Sequence, residues 1–262
     1  MKILNFNDSD FLTEIPDASS LLNLEFLSFE RCKNLTTIHE SVGFLEKLKV
    51  LSAQVCRKLR RFPPMKLISL DELNLSFCTN LESFPEILGK MENMKNLVLE
   101  ETTLKELPNS FQNLTHLQTL QLRCCGVFKL PSCILTMPKL VEIIGWVSEG
   151  WQFPKSDEAE DKVSSMVSST VESLHFAFCN LSDEFVPITL TWFVNVKELY
   201  LAHNNFTILP ECIKECHLLR ELCVDECIYL QEVRGIAPNL KILYARGCKS
   251  WTCTEMFMNQ VF

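Results

Sequence analysis

Apolar residues recur along the chain at a fixed spacing, and the segment Leu70 to Pro85, LDELNLSFCTNLESFP, shows the pattern most fully. Its key positions follow the order Leu-x-x-Leu-x-Leu-x-x-Cys-x-x-Leu-x-x-Phe-Pro. The x-Leu-x-Leu-x part alternates with a period of two, which is typical of a strand with one buried and one outward face. The segment therefore predicts a short strand, an inward turn and a return path that Pro keeps irregular.

The same spacing returns at intervals of 21 to 25 residues, except for one interval of 31. A period of about 20 to 29 residues is typical of leucine-rich repeats, in which each unit adds one parallel strand to a curved sheet. A single unit cannot bury its own apolar face, so neighbouring units must stack. The first apolar positions of the units are Met1, Leu24, Leu48, Leu70, Met94, Leu117, Leu140, Val171, Val196, Leu219 and Leu240.

This periodicity predicts an α/β fold, a leucine-rich-repeat solenoid of about eleven repeats that forms one domain over residues 1–262. A parallel β-sheet lines the concave face of the predicted horseshoe. The convex side is expected to be mostly irregular or short-helical, with one short helix that Ser182 caps.

The long interval predicts a departure from the array, a solvated loop from Val147 to Thr170. It is rich in serine and carries an acidic cluster. Long insertions add little entropic cost, so the loop needs no function, although a functional loop is the alternative. The acidic residues are Asp157, Glu158, Glu160 and Asp161.

Charge and hydropathy narrow the classes of partner. The 25 Lys and Arg against 33 Asp and Glu give a net charge of −8 and a pI near 5.3, so we expect no nucleic-acid partner. The most apolar stretch, Leu130 to Val147, contains Pro131, Pro138, Lys139 and Glu142, so no membrane span is predicted. The start, MKILNFNDSD, lacks the apolar core of a secretory signal. We expect a protein of the cytoplasm, or also of the nucleus.

Thirteen cysteines would suggest disulfides in a secreted chain, but seven of them occupy the same place in successive repeats. Pairing them would leave one over and break the shared turn geometry, so we expect a ladder of buried, reduced thiols. The predicted ladder residues are Cys32, Cys56, Cys78, Cys125, Cys179, Cys227 and Cys248, with Thr102 and Asn204 at the same place in two other units.

The sequence offers no motif of an enzyme active site: G-x-x-x-x-G-K-[ST], G-x-S-x-G and H-E-x-x-H are absent. We therefore expect neither catalysis nor a cofactor. One cluster has enough ligands for zinc, but the repeat frame points its side chains in different directions, so no metal site is expected. Its residues are Cys212, Cys216, His217, Cys223 and Cys227.

The outward residues of the predicted strands form the remaining candidate surface. Acidic residues outnumber basic ones there by seven to two, and aromatic residues and arginine concentrate in the C-terminal half. Aromatic and Arg side chains are enriched at the centres of protein interfaces, whereas simple covering of the sheet is the alternative role. We predict protein binding at the concave face through Arg123, Trp146, His175, Glu198, Tyr200, Asp225, Tyr244 and Arg246.

Several segments go beyond a generic leucine-rich repeat. They include LEFLSFERCKNLTTIHESVGFLEKL, LNLSFCTNLESFPEILGKMENM and the closing APNLKILYARGCKSWT. Together with the Cys ladder and the x-x-Leu-Pro return, these segments resemble the repeat region of plant TIR-NBS-LRR disease-resistance proteins. The resemblance covers essentially the whole chain.

The resemblance implies the sensor part of an intracellular immune receptor. In that family the repeats recognise a pathogen effector or a guarded host protein, and they hold a nucleotide-binding module inactive until then. The 262 residues contain no TIR, nucleotide-binding or post-repeat domain, and Met1 has no capping unit before it, which favours a fragment of a longer polypeptide. The alternative is a truncated receptor fragment or a free-standing repeat scaffold or adaptor without signalling of its own.

Overall fold

A computed structural model describes residues 1–124, 128–147, 151–152 and 169–248. Within these residues, eleven short strands form one parallel sheet whose strand order is the chain order. Each strand begins two residues after the first apolar position of its repeat, which confirms the predicted repeat frame. The strands are β1 (Ile3–Asn5), β2 (Phe26–Ser28), β3 (Val50–Ser52), β4 (Glu72–Asn74), β5 (Asn96–Thr102), β6 (Thr119–Cys124), β7 (Glu142–Val147), β8 (Ser173–His175), β9 (Glu198–Tyr200), β10 (Glu221–Cys223) and β11 (Ile242–Tyr244).

The core consists of leucines that lie opposite one another across the sheet. Leu27 pairs with Leu51, and Leu51 pairs with Leu73, and all three are buried. A buried leucine contributes about 2 kcal/mol by leaving water. The sum over the leucines of one repeat does not offset the conformational entropy that the repeat loses when its chain becomes ordered. The faces that neighbouring repeats share therefore stabilise the array.

The convex side consists of short strand pairs and 3₁₀ helices, in agreement with the predicted irregular return path. Pro108, Pro131 and Pro210 each stand immediately before a 3₁₀ helix, where a fixed φ suits the start of the turn. The strand pairs are Glu14–Ile15 with Thr37–Ile38, Phe128–Lys129 with Trp151–Gln152, and Ile208–Leu209 with Glu232–Val233. The 3₁₀ helices are Glu40–Phe44, Asn109–Asn113, Ser132–Thr136 and Glu211–Glu215.

The described residues include one α-helix, α1 (Phe185–Trp192), which follows β8 on the convex side. The prediction that the Ser182 side chain caps it is wrong. Glu184 occupies the N-cap position without a side-chain hydrogen bond, and Ser182 accepts from the Phe185 N–H through its carbonyl oxygen at 3.1 Å. The reason is that Ser182 lies two residues before the N-cap position, and its carbonyl oxygen rather than its hydroxyl accepts from the first N–H of α1.

The ladder cysteines are free thiols that hydrogen-bond to the preceding repeat. Cys56 Sγ donates to the Phe29 carbonyl oxygen at 3.0 Å, and Cys78 Sγ donates to the Ala53 carbonyl oxygen at 3.2 Å. Burial raises the pKa of Cys56 to about 12 and that of Cys78 to about 11, so both thiols stay protonated at neutral pH. Buried thiols are confirmed at Cys32, Cys56, Cys78, Cys179 and Cys227, whereas Cys248 is half-buried and Cys125 lies outside the described residues.

Asn204 takes the ladder position in the ninth repeat and serves more backbone groups than a thiol does. Its Oδ1 accepts from the N–H groups of Cys179 and Leu181 at 3.1 and 3.0 Å. Its Nδ2 donates to the carbonyl oxygens of Phe176 and Leu201 at 2.7 and 2.9 Å. The amide carries both donors and acceptors, so it satisfies two repeats at once.

In nine of the repeats, the residue before the ladder position lies in the left-handed backbone region, with φ between 48° and 72°. Its N–H donates to the next repeat, as from Phe178 to the Ala202 carbonyl oxygen at 3.0 Å and from His203 to that of Asp225 at 2.9 Å. This region costs a residue with a Cβ about 1 to 2 kcal/mol, and such hydrogen bonds between repeats offset the cost. These residues, the turn row, are Asp8, Arg31, Val55, Phe77, Glu101, Phe178, His203, Glu226 and Gly247.

The chain after β7 departs from the sequence prediction. Gly145 occupies a core position at which most repeats place a larger apolar residue, and a Cβ there would lie 1.9 Å from Trp151 Cζ2. The Trp151 ring fills that space, where it is buried and lies 4.8 Å from the Phe176 ring between centroids. Val147 is buried as well. The predicted solvated loop from Val147 to Thr170 is therefore wrong at its start, because the missing side chain of Gly145 leaves room for Trp151. The acidic cluster at 157–161 lies outside the described residues.

Candidate protein-binding surface

The eight residues predicted to bind protein belong to the six C-terminal strands or follow them directly. Equivalent residues of neighbouring parallel strands are about 4.8 Å apart, so such residues can form continuous groups. The structure brings them into three groups rather than one. The strands carry Arg123 (β6), Trp146 (β7), His175 (β8), Glu198 and Tyr200 (β9) and Tyr244 (β11), while Asp225 and Arg246 lie two residues beyond β10 and β11.

The first group is centred on Trp146, which pairs with Arg123 across β7 and β6. The Arg123 guanidinium carbon lies 4.3 Å from the centre of the Trp146 ring, a cation–π contact. Arg123 Nη1 also lies 3.1 Å from Glu100 Oε1, which fixes the guanidinium over the ring. Trp146 nevertheless keeps 44% of its surface exposed, so one side of the ring is open to a partner.

Two residues that the sequence prediction missed, Phe178 and His203, extend this group along the turn row. The Phe178 ring meets Trp146 edge to face at 6.4 Å and stacks on His203 at 4.0 Å between centroids. Phe178 is 57% exposed. The alternating strand pattern ends before both residues, so it does not count them among the outward residues. The signal that identifies them is their place directly before the ladder position, where the left-handed backbone recurs.

The second group is a stack of His175 on Tyr200, whose ring centroids lie 4.3 Å apart with planes 12° from parallel. Their polar atoms contact carboxylates on the neighbouring strands: Tyr200 donates to Glu221 Oε1 at 2.7 Å, and His175 Nε2 lies 3.4 Å from Glu142 Oε1. The predicted Glu198 joins this group through the hydroxyl of Ser173, which donates to Glu198 Oε2 at 3.2 Å.

The charge state of this stack follows from its burial. Burial lowers the pKa of His175 below its ordinary value, although the carboxylates of Glu142, Glu198 and Glu221 act in the opposite direction. The imidazole is therefore neutral at pH 7 and does not compensate the negative charge of those carboxylates. For Tyr200, burial and the hydrogen bond to Glu221 raise the pKa of the phenol, so its hydroxyl stays a donor. The second group is thus an uncharged aromatic stack between carboxylates.

The third group is the ion pair of Asp225 with Arg246, beside Tyr244. Arg246 Nε donates to Asp225 Oδ2 at 2.9 Å, and the Arg246 backbone N–H donates to Oδ1 at 2.7 Å. The guanidinium carbon of Arg246 lies 6.0 Å from the Tyr244 ring centre. Both hydrogen bonds and the charge of Arg246 lower the pKa of Asp225, with the side-chain bond as the largest cause.

Part of the predicted outward row is not available to a partner. The smallest outward side chains lie among those of the neighbouring repeats, as Ser52 does where its Oγ donates to Glu30 Oε1 at 2.7 Å. Those that the structure buries are Ser28, Ser52, Ser76, Ser173 and Cys223.

The remaining sequence candidates can be placed within the described ranges. Among those residues, no three His, Cys, Asp or Glu side chains come together as a set of metal ligands. Cys212 is exposed on a convex 3₁₀ helix, whereas Cys223 is buried on β10, so these two cysteines of the cluster considered for zinc lie on different sides of the solenoid. In the same part of the chain, no helix has the length and apolarity to cross a bilayer.

Comparison with known proteins places this chain in a family. Residues 65–251, more than two thirds of the chain, match the family described as disease resistance protein RPS4B-like, leucine-rich repeats. The TMV resistance protein N of Nicotiana glutinosa is 28% identical over 93% of this chain and 25% of its own length. Disease resistance protein RPP5 of Arabidopsis thaliana is 30% identical over 90% of this chain and 15% of its own length. The chain therefore spans a quarter or less of these relatives.

Solved structures show the same fold. The leucine-rich repeat domain of the type III effector XCV3220 (XopL) has a TM-score of 0.60 and 20% identity, covering 93% of this chain and 76% of that chain. The functional domain of InlJ from Listeria monocytogenes, which includes a cysteine ladder, has a TM-score of 0.54 and 13% identity, covering 97% of this chain and 57% of that one. With the sheet, the ladder and the family match in agreement, the chain belongs to the RPS4B-like leucine-rich repeats of plant disease resistance proteins.

Proposed function

We propose that this chain is the protein-binding sensor region of a plant intracellular immune receptor, with residues 1–262 acting as one repeat domain. Its partner is a pathogen effector or a guarded host protein, bound at the concave face from β6 to β11. In the complete receptor, the repeats restrain the nucleotide-binding module until recognition. The proposed compartment is the cytoplasm, or also the nucleus.

The observation that carries this proposal is the exposure of large aromatic side chains on one face. Trp146, Phe178 and Tyr244 expose 44%, 57% and 38% of their surfaces. Exposed aromatic side chains mark interaction sites, and Trp, Tyr and Arg are the residues that most often dominate binding energy. Arg123 and Arg246 lie beside these rings.

The regulatory part of the proposal is supported by the family. In the relatives the repeats belong to chains at least about four times longer than the matched region. At the N-terminal end of the array, Ile3, Phe11 and Leu22 expose 66%, 98% and 72% of their surfaces. Such apolar surface suits contact with a neighbouring domain.

Replacing Trp146, Tyr200 and Tyr244 together by Ala tests the sensor function. Candidate effectors and host proteins are purified individually, and their binding to the 262-residue chain is measured by biolayer interferometry. Binding of the partner found with the unmodified chain should weaken by about 100-fold or more, since interface aromatics contribute about 1 to 2 kcal/mol or more each.

The matched control replaces Phe26, Val50 and Val98, which are outward residues of the N-terminal half, by Ala. This variant should bind the partner as the unmodified chain does. Circular dichroism of both variants shows whether the array is intact. Undiminished binding by the first variant would contradict the proposal, and so would an equal loss in the two.

A further inference from the structure

The turns that follow the strands lie along one side of the solenoid, because all eleven strands run in the same direction. At the N-terminal end of this side, polar bonds connect one repeat to the next. Asn34 Nδ2 donates to the Asp10 carbonyl oxygen at 2.7 Å. Lys58 Nζ donates to Asn34 Oδ1 at 2.7 Å, and Asn80 Nδ2 donates to the Arg57 carbonyl oxygen at 2.6 Å. The first four repeats therefore share a continuous edge, the side rim, which consists of residues 10–14, 33–37, 57–61 and 79–83.

The side rim is basic, although the chain as a whole carries a net charge of −8. Among the described residues, no carboxylate lies within ion-pair distance of Arg57 or Lys58, and both are exposed. Arg60 and Arg61 share the carboxylate of Glu82 at 3.7 and 3.5 Å and expose 75% and 83% of their side chains. The cations of the side rim are Lys33, Arg57, Lys58, Arg60 and Arg61, and its carboxylates are Asp10, Glu14 and Glu82.

A protruding aromatic ring stands at the N-terminal end of the side rim. Phe11 exposes 98% of its surface and follows Asp10, which pairs with Lys33 at 3.3 Å. Phe11 takes the same place in the first repeat as Lys58 in the third, so about 10 Å separates their backbones at about 4.8 Å per repeat. Ile3 lies on the concave face instead, so a domain that covers Ile3 leaves the ring of Phe11 free.

Exposed cations beside a protruding ring match the chemistry of an anionic lipid surface. Headgroups supply negative charge without a fixed geometry, and each Lys or Arg close to such a surface strengthens binding about fivefold. Aromatic rings partition into the layer between headgroups and acyl chains. An acidic protein would need a cavity to receive a ring that protrudes as far as Phe11 does, whereas a bilayer accepts it without one.

We propose that the side rim binds the surface of a membrane that contains anionic lipids. Phe11 inserts between the headgroups, and the cations of residues 57–61 pair with their phosphate and carboxylate groups. The chain then lies on its side, which leaves the concave face from β6 to β11 open. This assignment uses residues outside the proposed protein-binding face, so it does not depend on the sensor function.

Vesicle flotation with the 262-residue chain tests the assignment. Vesicles of phosphatidylcholine are compared with vesicles that contain about 30% phosphatidylserine, and we expect at least about tenfold tighter binding to the second kind. Binding should weaken as salt is raised, because the cations are exposed. An effect of net charge alone would have the opposite sign, since the chain and the phosphatidylserine vesicles are both negative.

Two double variants with the same change in charge locate the contact. Arg57→Gln with Lys58→Gln should weaken binding to the phosphatidylserine vesicles about 20-fold. Lys47→Gln with Lys49→Gln is the control, since these residues precede β3 and lie at the opposite end of the strands. Lys47 Nζ bonds to Asn23 Oδ1 at 2.7 Å, and Lys49 Nζ lies 3.0 Å from Glu25 Oε2. The control should change binding by less than about twofold.

Two aromatic variants test the insertion of the ring. Phe11→Ala should weaken binding about fivefold, and this loss should persist at high salt because it comes from apolar contact. Tyr229→Ala is the control: Tyr229 takes the same place in the tenth repeat and is 51% exposed, but it lies far from residues 57–61. It should bind the vesicles as the unmodified chain does.

Equal binding to both kinds of vesicle would overturn the assignment, and so would equal losses in the two double variants. Binding to soluble poly-glutamate without binding to vesicles would also overturn it, because the side rim would then fit an acidic protein. Circular dichroism of each variant shows whether the array is intact. The triple aromatic variant of the concave face should bind vesicles normally, so failure of the sensor proposal and failure of this assignment are separate results.

Discussion

The N-terminal and C-terminal halves of the concave face share one backbone and differ in what they offer a partner. In the N-terminal half, polar side chains bond to one another: Ser28 Oγ donates to Asn7 Oδ1 at 2.6 Å, and Ser52 Oγ donates to Glu30 Oε1 at 2.7 Å. Arg31 Nε lies 2.7 Å from Asp8 Oδ1. A partner would have to break these contacts, so this half is poorly suited to binding.

In the C-terminal half, rings replace the small polar residues, and the carboxylates around the His175–Tyr200 stack bond to neutral groups. Trp146 and Phe178 stay exposed, and Glu221 and Glu198 accept from hydroxyl groups rather than from cations. Apolar surface and unneutralised charge are both left for a partner. The comparison teaches that side chains alone can divide one solenoid into two regions. In one region the polar groups are paired with each other, and in the other apolar surface and charge stay available for contact.

The largest expected effect comes from Gly145→Ala, which tests whether the C-terminal half depends on special packing. The new Cβ would overlap the Trp151 ring at 1.9 Å, so the ring or β7 must shift. The free energy of unfolding, from urea denaturation followed by circular dichroism, should fall by about 3 kcal/mol.

Gly89→Ala is the matched control in the N-terminal half. Its Cβ would meet only the flexible Lys66 side chain, at 3.1 Å or more. A change below about 0.5 kcal/mol is expected. Equal losses for the two variants would remove the contrast in packing between the halves.

A smaller effect is expected from Asn204→Ala, which compares the two kinds of ladder residue. The change leaves the buried N–H groups of Cys179 and Leu181 without their acceptor and should cost about 2 kcal/mol. Cys56→Ala removes one thiol donor to a carbonyl and should cost about 1 kcal/mol. Urea denaturation of both variants measures the difference, and a larger loss for Cys56→Ala would reverse the comparison.

The smallest effect concerns pH. Because burial lowers the pKa of His175 in the folded chain, the unfolded chain binds the proton more readily. The contribution of His175 to stability is therefore complete above its unfolded pKa of about 6.5 and is lost as the pH falls below that value. His175→Phe should flatten the dependence of the unfolding free energy on pH between about 6.5 and 5.

His217→Gln is the control for this prediction, since the His217 side chain is 69% exposed. Unfolding is measured in urea at both ends of the pH range. A slope that persists in His175→Phe, or that disappears in His217→Gln, would assign the pH dependence to another group.

The scaffold was predictable from the sequence because its signals are local. The alternation of Leu27 or Leu73 with outward residues and the regular return of Cys56 and Cys78 define strands and turns within one repeat. The contribution of Trp151 could not be predicted, because it compensates for a side chain missing at Gly145, six residues earlier and in another element.

The candidate surface was predictable in part. Trp146 and Tyr200 follow from the outward positions of strands, and the structure places both at the surface. Phe178 and His203 were missed because their orientation depends on a left-handed turn that the apolar period does not report. Ser28 and Ser52 are buried beside Asn7 and Glu30 of the preceding repeats, to which their hydroxyl groups donate, and no single repeat encodes such a contact.

The turn row has a consequence for how such a surface changes over generations. Its hydrogen bonds to the next repeat are made by main-chain N–H groups, so they do not depend on the side chains. Acidic, basic, aliphatic and aromatic residues all occupy it, as Glu226, Arg31, Val55 and Phe178 show. Under the proposed function, mutations there alter recognition while the leucine core stays constant. The turn row is thus a second set of positions, beside the outward strand residues, that can be substituted independently of the core. Randomising these positions is a direct way to change the specificity of the array.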